Sequence, residues 1–240
     1  MSQKLPITET YLSVDCVVLG YDGEYIKVLL KNREGNYNGI PFHDRKLPGS
    51  LIAQDEDLDE AASRVLRDLT GIEVVSLAQF KAYGTKDRTK KPLDVNWLEK
   101  VQNVHVERIV TIAYLAIVKI GKKEESIPRI HDAEWVNISE VGELGFDHNL
   151  ILLDALKKLR DLIDADPSLI FTLLPKKFTA KQLRDINEII FDRPVDARNF
   201  HKKLAQTDYI VPLEEKQQGV AHRAARFYRF DKKLYIKSRK

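Results

Sequence analysis

Hydrophobic and polar positions change their rhythm several times along this chain. The segment "TYLSVDCVVLG" is β-branched and loosely alternating, which predicts a strand. Asp22-Gly23 supplies a hairpin turn into a second strand, "EYIKVLLK". Residues 32–46, rich in Gly, Asn and Pro, read as a loop. In "DLDEAASRVLRDL" the apolar residues Leu58, Ala61, Ala62, Val65, Leu66 and Leu69 recur at helical spacing. They predict a one-faced amphipathic helix that Gly71 closes. "IEVVSLAQFKAYG" and "RIVTIAYLAIVKI" read as further strands, separated by a polar, Lys-rich insertion over residues 86–107 that carries Trp97. "AEWVNISEV" is a short strand running into a turn, and "HNLILLDALKKLRDLI" is a second amphipathic helix. Strands and helices mixed in this way predict an α+β or α/β sandwich.

After "DADPS" the pattern changes. Thr179 is placed to cap "AKQLRDINEIIF", with Leu183, Ile186 and Ile190 facing inward. A turn at Asp192-Arg193-Pro194 leads to "VDARNFHKKLAQ", where Ala197, Phe200 and Leu204 form the expected buried stripe. Two short strands follow, "YIVPLEE" and "HRAARFYRF", with Gly219 in the turn between them. Helix, turn, helix and β-hairpin is the order of a winged helix-turn-helix.

Charge sharpens this division. Residues 171–240 hold 17 Lys+Arg against 8 Asp+Glu, a net of +9, whereas the first 170 hold 22 against 28. An acidic front joined to a basic tail points to two domains, the second facing a polyanion. The single cysteine, Cys16, rules out a disulfide framework or a cysteine metal cluster and reads as a small buried hydrophobe. No apolar run reaches membrane-spanning length and "MSQKLPITET" lacks a signal-peptide core, so the expectation is a soluble cytoplasmic protein with no membrane partner.

The stretch "LPGSLIAQDEDLDEAASRVLRDLTGI" resembles the Nudix box, a loop-helix-loop in which glutamates hold Mg²⁺ against a nucleoside diphosphate. Leu47-Pro48-Gly49, Glu56, Arg64 and Gly71-Ile72 match the motif's frame. Where that motif reads Arg-Glu-x-x-Glu-Glu, this chain reads Arg64-Val65-Leu66-Arg67-Asp68-Leu69, which keeps a single carboxylate. Val65 and Leu69 cannot ligate a cation that demands oxygen. The box therefore predicts a scaffold without catalytic residues, metal ligands or cofactor. "GFDHNLILLDALKKLR" and "FTLLPKKFTAKQLRDINEIIFDRPVDARNFHKKL" extend the resemblance to the Nudix-related transcriptional regulators (the NrtR family). The long insertion before "ERIVTIAYLAIVKI" is similar to that of their arabinose-responsive branch (AraR).

The resemblance implies an N-terminal Nudix-like α/β/α sandwich over residues 1–165 and a C-terminal winged helix-turn-helix over 166–240. The implied function is a DNA-binding regulator of sugar catabolism, a repressor released by L-arabinose and acting as a homodimer on a palindromic operator of double-stranded DNA. The alternative is a Mg²⁺-dependent Nudix pyrophosphohydrolase acting on a nucleoside diphosphate derivative such as ADP-ribose. A recognition helix needs an apolar back and a donor-rich front. Arg198 and Asn199 suit base edges, while Lys202 and Lys203 suit phosphates. His222, Arg223 and Arg226 in the wing suit the minor groove or phosphate. Thr179 and Lys181, at a helix N-terminus, suit phosphate. A pentose offers only hydroxyls, so its site calls for carboxylates, amides and a flat apolar wall. Tyr11, Asp15, Lys46, Glu107, Thr111, Asp147 and His148 are the candidate ligand contacts, while Trp97 either closes over the sugar or, the commoner case, anchors its own loop.

Overall fold

The computed structural model describes residues 8–73, 76–88, 90–218 and 224–239. The chain divides into two compact units. One comprises the chain up to Leu19 with Val28–Ala116 and Lys122–Ala155; the other comprises Gly20–Lys27, Ile117–Gly121 and Leu156–Lys240. The division falls inside a long helix, ahead of the boundary placed after residue 165 from the sequence.

Strand β1 (Thr10–Tyr21) and strand β2 (Ile26–Tyr37) are joined by a turn in which Asp22 Oδ1 accepts from the Glu24 and Tyr25 amides at 2.9 and 2.8 Å. The loop expected at residues 32–46 is instead a hairpin. Strand β2 runs on to Tyr37, and strand β3 (Ile40–Lys46) pairs with it antiparallel from Lys31↔Lys46 to Tyr37↔Ile40. Asn38 and Gly39 between them take positive φ angles of 52° and 82°, the two-residue turn that matches strand twist. Strand β4 (Gly49–Leu51) pairs with β1, setting Gly49 opposite Asp15.

Helix α1 (Leu58–Thr70) follows the predicted periodicity, with Ala61, Ala62, Val65 and Leu66 fully buried. Glu60 accepts from the Asp57 amide at the start of α1, and Gly71 ends it in the left-handed region with its amide donating to Arg67. Strand β5 (Ala78–Tyr83) precedes the Lys-rich insertion, which is not merely a loop: it holds helix α2 (Pro92–Gln102). Strand β6 (Arg108–Lys119), helix α3 (Lys122–Ile130), strand β7 (Ala133–Asn137) and helix α4 (His148–Ala165) complete this part of the chain. Among the described residues one sheet runs in the order β3-β2-β1-β6-β5, with β4 on β1 and β7 on β2.

Helix α5 (Ile170–Leu173) leads to strand β8 (Phe178–Thr179) and helix α6 (Ala180–Phe191). Helix α7 (Ala197–Ala205), strands β9 (Ile210–Lys216) and β10 (Arg226–Phe230), and helix α8 (Lys232–Ser238) follow. A second sheet, β8-β10-β9, carries the wing. Leu183, Ile186 and Ile190 are buried as expected, and Phe171 stacks on Phe230 with centroids 4.2 Å apart. On α7 the stripe is narrower than expected: Leu204 is buried and Phe200 half-buried, but Ala197, in the first turn, is exposed. Among the described residues no helix is long and apolar enough to cross a membrane.

Candidate functional site

Asp15 is the centre of a polar cavity in the first unit. It sits on β1, 5% exposed, where the surrounding strand is apolar and a lone carboxylate would be costly. Three groups offset that cost. Arg88, from the insertion, donates through Nη2 to Asp15 Oδ2 at 2.8 Å and through Nε to Asp147 Oδ1 at 3.1 Å. His148, the first residue of α4, accepts the Leu47 amide on Nδ1 at 2.9 Å, so its proton resides on Nε2, 3.5 Å from Asp15 Oδ1. Lys46, at the end of β3, donates to the carbonyls of Leu47 and Gly49 at 3.2 and 2.9 Å. Burial alone would raise the Asp15 pKa, but His148 and the charges of Arg88 and Lys46 outweigh it and hold the carboxyl well below its usual range. Burial pushes the Lys46 ammonium down to about 8, with Asp15 opposing the shift and Arg33 adding to it.

Gly49 shows why the Leu-Pro-Gly opening is kept. A Cβ there would overlap the Asp15 carboxylate, so a side chain is incompatible with the β1–β4 pairing. The cavity bounded by these groups has an empty volume of about 420 Å³, counting the space at its mouth. Asp15, Lys46, Arg88 and His148 supply its polar wall together with Ser13 and Ser50, and Trp97, Leu98, Ile109 and Phe146 its apolar wall. Arg88 Nη1 is buried with no hydrogen-bond partner among the described residues.

The sequence-based candidates separate on this geometry. Asp15, Lys46 and His148 line the cavity, Asp147 orients Arg88, and Trp97 forms a wall. Tyr11 is half-buried on β1 and Glu107 exposed ahead of β6, both outside the lining; Thr111 is fully buried in β6, also outside it, its hydroxyl oxygen without a partner among the described residues. Arg88 escaped sequence reading because "TKDRTKK" has the composition of a solvated basic run. The signal that could have found it is Asp15, an acid in an apolar strand that demands a cation.

The degenerate box does not fit a divalent cation. Both Glu56 oxygens are spent on Arg64, at 2.8 and 2.5 Å, and the Ala53 amide also donates to Oε1 at 2.6 Å. Val65 is buried, Leu69 half-buried, and Asp68 faces out toward Arg67 at 3.1 Å. Among the described residues no group of three or more His, Cys, Asp or Glu is placed to hold a metal ion.

In the second unit Arg198, Asn199, Lys202 and Lys203 all project from α7 into solvent. Asp196 caps that helix, accepting from the Asn199 amide at 2.8 Å. A concavity gathers Lys181, His201, Lys216, Arg226 and Tyr228 from α6, α7 and the wing strands. Lys181 is paired with Asp185 at 2.5 Å. Thr179 corrects its expectation: it is 2% exposed, and its hydroxyl accepts from the Gln182 amide at 3.2 Å, which spends it as a helix cap rather than a phosphate contact. Lys216 was not singled out from the sequence, since "PLEEK" reads as a mixed-charge edge. His222 and Arg223 lie outside the described residues.

Residues 170–230 match the family model of the NrtR DNA-binding winged helix domain. The chain is 25% identical over 232 residues to the ADPR responsive transcriptional repressor NtrR of Acinetobacter baylyi, covering 95% of this chain and 85% of that one. Among solved structures it is similar to Shewanella oneidensis NrtR complexed with a 27mer DNA, with a TM-score of 0.63, 22% identity and 92% and 93% of the two chains covered. It is also similar to a MutT/nudix family protein from Enterococcus faecalis, with a TM-score of 0.62, 22% identity and coverages of 95% and 90%. These likenesses show the fold: a Nudix-like α/β domain followed by a winged helix domain.

Proposed function

We propose that this chain is a ligand-responsive, DNA-binding transcriptional repressor whose Nudix-like domain binds an effector without hydrolysing it. The observation that carries the sensing half is the convergence of Asp15, Lys46, Arg88 and His148 on one cavity, with Lys46 and Arg88 as donors. Asp15 provides the complementary acceptor, and Trp97 a flat apolar surface. Donor, acceptor and aromatic wall in a small space suit a compact polyhydroxylated molecule, and L-arabinose is the effector that the sequence resemblance implies.

A second reading rests on the Acinetobacter baylyi relative, whose effector is ADP-ribose. ADP-ribose adds a base and a diphosphate, and Lys46 and Arg88 in the polar wall are the cations that would meet the diphosphate. The reading without hydrolysis is supported by Val65 and Leu69 in place of oxygen ligands and by the Glu56–Arg64 pair.

The DNA-reading half is supported by the match over 170–230 and the four exposed donors on α7. A homodimer on a palindromic operator is part of the same proposal, since half-sites about one helical turn apart suit paired recognition helices. The test is selection of bound duplexes from a random-sequence pool, followed by titration of the winning site. Arg198→Ala is expected to cost about 1–3 kcal/mol and relax specificity at one position. Lys202→Ala is expected to weaken all sequences alike and flatten the salt dependence. Failure to enrich any sequence above background would sink the DNA-reading half.

A further inference from the structure

Helix α2 supplies Trp97 and Leu98 to the cavity wall, and its apolar residues Leu93, Val95, Trp97 and Leu98 are only half-buried. Its one buried residue is a carboxylate, Asp94, 1% exposed. Asp94 Oδ1 accepts from Arg33 Nη1 at 2.5 Å, and Oδ2 accepts the Phe146 amide at 3.0 Å. Arg33, 2% exposed on β2, also forms a two-pronged pair with Asp44 through Nε and Nη2, at 2.6 and 2.5 Å. Its guanidinium carbon lies 5.1 Å from the Phe146 ring centroid and 5.4 Å from that of Trp97, both cavity residues. Gly145 lets the chain pass this close, since a Cβ there would stand 2.7 Å from the guanidinium carbon. Phe146 itself has a φ of 59°, a conformation that bulky residues rarely adopt, and the Asp94 hydrogen bond holds its amide in place. At the solvent edge α2 adds Trp97 Nε1 to the Glu34 carbonyl at 3.1 Å and Lys100 to the Asn36 carbonyl at 3.4 Å, and at its C-terminal end Glu99 accepts from the Val106 amide at 2.8 Å and pairs with His105.

The geometry points to Arg33 and Asp94 as a latch: positioning residues that line no part of the cavity and that govern how often α2 lifts from it. This deepens the reading of the cavity as the effector site and rests on it for the ligand-exchange step. A buried ion pair adds little net stability beside packed apolar groups, but it strongly prefers one geometry. A helix with few buried apolar side chains belongs to the part of a protein that opens locally. When α2 lifts, Asp94 regains water while Asp44 keeps Arg33 paired, so opening strands no charge. Closure restores the Asp94 bonds to Arg33 and Phe146 together, which sets Trp97 and Phe146 against the ligand at the same moment.

Hydrogen exchange read by mass spectrometry on the full chain tests the latch without any ligand. Asp94→Asn is expected to speed exchange of the amides in residues 92–102 at least tenfold and to leave residues 58–70 unchanged. Arg33→Lys, which keeps the charge but loses the fork, is expected to do the same to a smaller degree and serves alone if Asp94→Asn does not fold. Unchanged exchange over 92–102, or an equal rise over 58–70, would overturn the latch. With L-arabinose as the probe in stopped-flow experiments, Asp94→Asn is expected to raise the association and dissociation rates together, with the ratio moving less than either rate. A change in dissociation alone would make Asp94 an ordinary support of the site. If the unaltered chain binds no L-arabinose, the effector reading fails, and the exchange data still decide the latch.

Discussion

Helices α1 and α2 belong to the same unit and are held by opposite means. Helix α1 turns Ala61, Ala62, Val65 and Leu66 inward, all with no exposed surface, and each large apolar side chain so buried contributes roughly 1.5–3 kcal/mol. The Cys16 thiol donates to the Ala62 carbonyl, and the Tyr114 hydroxyl donates to Asp59 at 2.6 Å, which tie α1 to β1 and β6. Helix α2 buries a single acid and hangs on directional bonds. Non-directional burial tolerates small shifts and persists through them, whereas a hydrogen-bonded ion pair is either made or broken. Burial thus fixes the helix of the box, whereas directional bonds fix α2 on the Trp97 side of the cavity.

The contrast is most easily broken with core truncation. Leu66→Ala is expected to cost about 2–5 kcal/mol of global stability in urea titration, because a packed site cannot collapse fully around the void. Asp94→Asn is expected to cost less, about 1–3 kcal/mol, since Asp44 keeps Arg33 paired and the loss is that of an imperfectly met buried hydrogen bond. Equal losses would mean that α2 is as much a part of the core as α1.

A pH series sharpens the same contrast on the cavity side. The folded-state pKa of Lys46 is about 8, against 10.5 for the free side chain. Between those values the unfolded chain binds more protons than the folded one, so this lysine makes stability rise with pH across that window. Relative to Lys46→Met, the unaltered chain is expected to gain up to about 3 kcal/mol between pH 7.5 and pH 10.5. A flat difference between the two proteins would show that the ammonium is not buried as described. Packed on α1, the Cys16 thiol and Tyr114 hydroxyl are held protonated above their usual ranges, chiefly by burial, and pull stability down as pH rises; both proteins share them, so the difference between the two isolates the lysine.

What the sequence made legible follows the same physics. Apolar periodicity announced α1, α6 and the long α4 because burial of one face leaves a repeating trace. The Asp94 latch left none: a carboxylate inside "KPLDVNWLEK" looks like any solvated helix, and its partner Arg33 stands in "KNREGNY", a polar stretch read as loop. Strands β2 and β3 were missed over that stretch because exposed strand faces carry no hydrophobic alternation; only Asn38-Gly39 marked the turn. Asp15, Lys46 and His148 could be placed from strand parity and motif position. Arg88 could not, since it reaches Asp15 from 73 residues further along the chain.

Calorimetric titration of the cavity tests the account most directly. The chain and its Arg88→Ala variant are each titrated with L-arabinose and with ADP-ribose. The account predicts that L-arabinose binds the unaltered chain and that Arg88→Ala weakens it at least tenfold, about 1.4 kcal/mol. Tight ADP-ribose binding with no heat from L-arabinose would overturn the arabinose reading in favour of the second one, and binding indifferent to Arg88 would contradict its place at the centre of the site.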